Sequence, residues 1–136
     1  MAAGEPGIKA QFVGGTEASL AGKSGILIDL TDAEALRVHS GKEDLQIAYR
    51  KINTVEYGQK VSRRYAEAVL ISPLLLLSKS RKHFVTIGYV DAGGNQQAVV
   101  FRVDKGDIRS VLASLEARTG RRVEFQDNEA RKAGKG

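Results

Sequence analysis

Apolar residues alternate with polar ones through the first half of the chain, in short runs divided by glycine and polar turns. Ile8 to Val13 is followed by Gly14-Gly15, and Gly25 to Leu30 places Ile26, Ile28 and Leu30 on one face. Leu36 and Val38 mark the next strand, Ser40-Gly41 its turn, and Leu45, Ile47 and Tyr49 alternate again. Ile52, Val55 and Tyr57 continue as a turn or a further strand. Short strands at about ten-residue spacing predict an antiparallel meander that bends into a barrel or sandwich.

The second half carries sharper signals. His83 to Val90 is β-branched and aromatic, Asp91 to Asn95 is a glycine turn, and Gln97 to Val103 returns with Val99, Phe101 and Val103 on one face. This predicts a β-hairpin. Asp104 then occupies a helix N-cap position, and Ile108, Val111, Leu112 and Leu115 follow at i, i+3, i+4 and i+7. Thr119-Gly120 ends the helix, with Arg118, Arg121 and Arg122 near its carbonyl end. A single amphipathic helix must cover the open mouth or side of the strand assembly. The domain is expected over 8–125, between a flexible amino terminus (1–7) and a flexible tail (126–136).

Between the two halves, residues 59–83 hold the longest apolar run and all the excess charge. Lys60, Arg63, Arg64, Lys79, Arg81 and Lys82 stand against Glu67, so this stretch accounts for the whole net charge of +5. Two readings stay open. In one, Val69 to Leu77, with Leu74, Leu75, Leu76 and Leu77, forms an exposed apolar tip whose cationic rim meets an anionic membrane or an acidic protein. In the other, Val61, Tyr65, Val69 and the leucines are core, as a helix broken near Ser72-Pro73 or as strands, and the charges are solvated ends.

Composition narrows the chemistry. The 136 residues are 42% hydrophobic and 27% charged, the usage of one globular domain. With no cysteine, no tryptophan and two histidines, there is little for metal or proton-transfer chemistry, and His39 and His83 read as strand-end histidines. No metal or cofactor is expected. Gly14-Gly15 and Gly93-Gly94 lack a phosphate-loop pattern and read as turns. Ser24, Ser62, Ser72, Ser78 and Ser80 sit in no nucleophile elbow, and Glu56 is a lone carboxylate, so an enzyme is not expected. A pI of 9.6 suits nucleic acid, yet the basic segment has no aromatic ladder, helix-turn-helix or zinc pattern. The longest apolar run, broken by Ser72 and Pro73, is too short to span a bilayer.

The element order and the phrases GILIDLTDAEALRVHSG, LQIAYRKINTVEYGQK and KHFVTIGY through VVFRVDKGDIRSVLASLEARTG resemble the pleckstrin-homology-like superfold, in particular its bacterial and GRAM-type members. The resemblance implies a mainly β domain of about seven strands, a bent antiparallel sheet or partly open barrel, capped by one C-terminal helix. EYGQK, KSRKHF and LEARTG also resemble a bacterial family without assigned function, many members of which carry an export signal. That implies a periplasmic or secreted setting after leader removal, with a cytoplasmic one left open; the small-residue start MAAGEPG suits a trimmed chain. Phosphoinositide-binding members place several cations across the first strand pair, where Gly14 to Ile26 offers only Lys23. The expected function is a non-catalytic binding or scaffolding module acting through Lys60, Arg63, Arg64, Lys79, Arg81, Lys82 and Leu74 to Leu77. A self-associating structural domain is the alternative, and an uncharacterised enzyme the third class.

Overall fold

The computed structural model describes residues 7–16, 25–40, 43–59, 65, 70–71 and 83–126. These residues form β1 (Ile8–Gly15), β2 (Gly25–Asp29), β3 (Ala35–Ser40), β4 (Glu43–Ala48), a 3₁₀ turn (Tyr49–Lys51), β5 (Ile52–Gly58), β6 (Leu70–Ile71), β7 (Phe84–Val90), β8 (Gln96–Val103), helix α1 (Lys105–Thr119) and β9 (Glu124–Phe125). One sheet runs β4-β3-β2-β1-β8-β7-β5-β9, and β6 adds to β1. Pairing is antiparallel except between β9 and β5. Among the described residues no ladder joins β4 to β9, the two ends of this order, so the sheet is not closed.

The alternation predicted along the strands is what builds the core. Ile26, Ile28 and Leu30, Leu36 and Val38, and Ile47 share one buried cluster with Val85, Ile87, Val99, Phe101 and Val103. Ile108, Val111, Leu112 and Leu115 of α1 complete that cluster, each such side chain contributing about 1.5–3 kcal/mol of transfer free energy. The helix therefore covers the inner face of the bent sheet.

Two bulges set the phase of the pattern. Ile52 lies opposite Tyr89 while Thr54 lies opposite Gly88, leaving Asn53 as the extra residue. This is why Ile52 and Val55, three positions apart, reach the same core. On β1, Phe12 faces Phe101 and Gly14 faces Val100, so Val13 is the extra residue. Phe12 packs into the inner core and Val13 into a smaller cluster on the outer face.

At its carboxyl end α1 is fixed by polar contacts. Gly120 adopts φ 72°, where glycine carries no Cβ penalty, and its N–H donates to Glu116 O at 2.9 Å. Thr119 Oγ1 donates to Leu115 O, and the Glu116 carboxylate accepts the Val123 N–H at 2.9 Å. Arg121 Nε donates to Ile52 O at 2.8 Å, tying the helix end to the start of β5. At the amino end Asp104 holds the N-cap position without a side-chain cap bond; its carbonyl accepts the Asp107 N–H at 2.9 Å.

Three expectations change. The sheet is mixed and not wholly antiparallel, and among the described residues it has nine strands instead of about seven, because β6 and β9 are two-residue strands too short to leave a periodic signal. Gly14-Gly15 is not a turn: both residues lie in β1, paired to β8 on one side and to β6 on the other. A Cβ on Gly15 would come within 3.2 Å of the Phe12 ring and 3.3 Å of Ala98 O, so close packing accounts for this glycine. Gly93-Gly94 does form the hairpin turn, Gly94 taking φ 83°.

Candidate contact surface

Gly58 at the end of β5 lies opposite Phe84 at the start of β7. The basic apolar segment therefore leaves and rejoins the sheet between two neighbouring strands, at one end of β5. Lys60, Arg63, Arg64, Lys79, Arg81, Lys82, Leu74, Leu75, Leu76 and Leu77 lie outside the described residues. The structure describes the segment's roots, Gln59 and His83, and two attachments, Tyr65 and β6.

At the root, Tyr57 is fully buried and its hydroxyl lies 2.5 Å from His83 Nδ1. The two rings are nearly parallel, 4° apart at 6.0 Å, and Phe125 meets Tyr57 edge-on at 6.3 Å. His83 precedes β7 and its carbonyl accepts the Val103 N–H at 3.0 Å. His39, on β3, has Nδ1 2.6 Å from Asp44 Oδ1 across the strand pair. Both histidines thus sit at strand ends on polar partners. Among the described residues no three His, Asp or Glu side chains group to hold a metal ion.

Tyr65 is the first attachment. It is 8% exposed and packs with Val13, Phe84, Ala98 and Val100 on the outer face of the sheet. Its hydroxyl lies 3.3 Å from Thr54 Oγ1 and 3.4 Å from Gln96 Nε2. Directly beneath is Gly88, where a Cβ would clash with that hydroxyl and press on Thr54 Cβ at 3.0 Å. A glycine in the middle of an otherwise bulky strand marks this close approach.

Around Tyr65 runs a chain of amides and hydroxyls. The bulge residue Asn53 donates from Nδ2 to Gln96 Oε1 at 2.7 Å, and Gln96 Nε2 donates to Tyr89 O at 3.1 Å. Gln97 Nε2 donates to Asp91 Oδ2 at 2.8 Å, while Thr16 Oγ1 donates to Gln97 Oε1. Asp91 also accepts the Gly93 and Asn95 N–H groups, each at 2.9 Å. The Asn95 N–H, followed by the Gln97 amide, holds the Asp91 carboxyl below its ordinary value.

The second attachment is β6, with Ile71 opposite Gly14 and Leu70 opposite Gly15. Leu70 and Ile71, at the start of the apolar run, are therefore strand residues of the sheet and not part of a projecting tip. Reading Tyr65 as core is correct for that residue. The same reading for Val61, Val69 and the four leucines falls outside the described residues. Sequence reasoning missed the fit of Tyr65 over Gly88 and its amide partners. Gly88, set among β-branched and aromatic neighbours, was the available signal.

Among the described residues no helix is long and apolar enough to cross a membrane. The chain matches no protein-family model and no curated protein.

Proposed function

We propose that the protein is a non-catalytic binding module whose segment 59–83 contacts an anionic membrane surface, with an acidic protein as the alternative partner. One observation carries the reading: the entire net charge of +5 falls in a stretch that also holds the longest apolar run, while the other basic and acidic side chains balance. Each cation near anionic lipid contributes about 1 kcal/mol. The segment's placement between β5 and β7, with Tyr65 and β6 as footholds, supports its use as an appendage on a rigid sheet. A bent sheet ending in a hairpin and a covering helix supports assignment to the pleckstrin-homology-like superfold. An extracytoplasmic setting fits the resemblance already noted.

Binding to vesicles rich in phosphatidylserine should weaken steeply between low and physiological salt, because the Debye length contracts to about 8 Å. Equal binding to anionic and neutral vesicles at both salt levels would remove the reading.

Self-association, with the apolar segment packing against a copy of itself, is the second reading, and an edge strand favours it: among the described residues β4 pairs only with β3. Sedimentation would show a mass that rises with concentration and falls back in Leu75→Asp.

A further inference from the structure

A sheet that does not close has two edges, and this fold treats them differently. At the β5 end, β9 and Gln126 lie along the strand and Arg121 Nε donates to Ile52 O at 2.8 Å, so the chain covers that edge with its own carboxyl-terminal elements. At the other end β4 pairs only with β3 among the described residues. Its register runs without a shift from Glu43 opposite Ser40 to Ala48 opposite Ala35, and Glu43–Ala48 holds neither proline nor lysine. Apart from the two acids at its start, β4 lacks the devices that blunt an exposed edge.

The phase of the ladder decides which groups this edge presents. The Tyr49 N–H donates to Glu34 O at 2.9 Å, which makes Glu34 and Tyr49 a hydrogen-bonded pair. Such pairs alternate along an antiparallel ladder. Leu45 and Ile47 therefore also turn their N–H and C=O groups toward β3, and Asp44, Gln46 and Ala48 turn theirs away from it. Asp44 and Gln46 are exposed and Ala48 is half-buried. Leu45 packs against the inner core but is only partly buried there.

A second copy of the chain suits this edge because the edge is complementary to itself. The chain enters β4 through Lys42, Glu43 and Asp44, net −1, and leaves it through Arg50 and Lys51 with Glu34 across from Tyr49, net +1. From Asp44 to Ala48 the strand spans about 13 Å at ~3.3 Å per residue, more than the physiological Debye length of about 8 Å. Within one chain the two ends are screened from each other. An antiparallel copy brings unlike ends together twice, whereas a parallel copy sets like beside like. With the two-fold axis at Gln46, Asp44 pairs with the partner's Ala48 and Gln46 with the partner's Gln46, so the outward N–H and C=O groups of all three residues are satisfied. The same register sets Leu45 opposite the partner's Ile47 on the inner face, which extends the apolar core across the axis.

We propose that β4 is a homodimer interface, through which two copies join their sheets edge to edge, antiparallel about a two-fold axis at Gln46. The pairing uses nothing from segment 59–83, so it is independent of what that segment contacts and distinct from self-association through the apolar run.

Sedimentation velocity of the full chain over a wide concentration range reads the dimer, and amide hydrogen exchange at the two ends of that range reads the interface. The wild type dimerises. In the dimer the Asp44, Gln46 and Ala48 amides exchange at least about tenfold more slowly, while those of Leu45 and Ile47, bonded to β3 in either state, do not change. Gln46→Pro removes an outward N–H without taking a bond from β3 and raises the dissociation constant at least about tenfold. Gln46→Lys leaves the backbone intact and sets two ammonium groups opposite each other at the axis; it weakens the dimer likewise and serves if the proline variant does not fold. Asp44→Lys weakens pairing, and adding Arg50→Asp restores it.

A strictly monomeric wild type overturns the proposal, and so does a dimer that survives both Gln46 variants. A dimer lost in Leu75→Asp but not in the Gln46 variants belongs to the apolar run and also overturns it. Failure of the double charge exchange to recover affinity overturns the antiparallel register.

Discussion

On the inner face of β7 and β8, Val85, Ile87, Val99 and Phe101 pack under α1 among many equivalent apolar neighbours. On the outer face of the same strands, Phe84, Ala98 and Val100 meet one described side chain from the basic segment, Tyr65. The inner face is held by summed burial, where shape tolerance is broad and any one residue shares its load. Among the described residues, the outer face carries one ring fitted over Gly88, with an amide chain that orients its hydroxyl. The difference teaches that Tyr65 is seated by fit, and the sheet that carries it is held by area.

The largest effect should come from the inner face. Phe101→Ala removes a ring with no solvent exposure and should cost about 3–5 kcal/mol, read as a lower urea midpoint. A loss below about 1 kcal/mol would mean that the inner core is far looser than its burial implies.

Gly88→Ala breaks the comparison from the other side. The new methyl collides with Tyr65 and should destabilise by about 1–3 kcal/mol. In a Tyr65→Ala background the same substitution should become at least about 1 kcal/mol cheaper, since the colliding atom is gone. Strict additivity would show that the two residues do not share the site.

Tyr49 sharpens the contrast, because at 3% exposure its hydroxyl has no hydrogen-bond partner among the described residues. Tyr49→Phe should stabilise the protein by about 1 kcal/mol through removal of an unsatisfied buried group. Burial raises the Tyr49 phenol above its ordinary value of 10.0; Arg118 opposes the shift, and Asp29 and Asp32 add to it. The folded state therefore holds this proton more tightly than the unfolded chain. The resulting stability is complete below pH 10 and falls as pH rises through the folded value, a decline Tyr49→Phe should lessen.

The smallest effect belongs to the hairpin turn. Asp91 titrates below its ordinary value of 3.8, so its contribution is full above that pH and fades as pH falls through the lower folded value. Asp91→Asn should narrow the difference in melting temperature between pH 7 and pH 3. No change in that difference would show that the turn does not depend on the charge.

The strands of the first half, the hairpin and the helix were legible because alternation and 3.6-residue spacing follow directly from which side chains must be buried. Ile26, Ile28, Leu36, Val38, Ile108 and Leu115 all sit in the core that pattern predicts. The bulges at Val13 and Asn53 were not legible, since an inserted residue reads only as a lapse in phase. The two-residue strands β6 and β9 are fixed by partners distant in sequence, Gly14-Gly15 and Glu56-Tyr57. Net charge located the basic segment but said nothing of how Tyr65 seats over Gly88, because a sum over the chain carries no geometry.

The affinity for vesicles containing phosphatidylserine, compared at physiological salt between the wild type and R63Q/R64Q/R81Q/K82Q, tests the proposed function most directly. At about 1 kcal/mol per cation near the surface, the account predicts a dissociation constant at least about 100-fold higher in the variant. An unchanged constant in a variant of unaltered stability would contradict it.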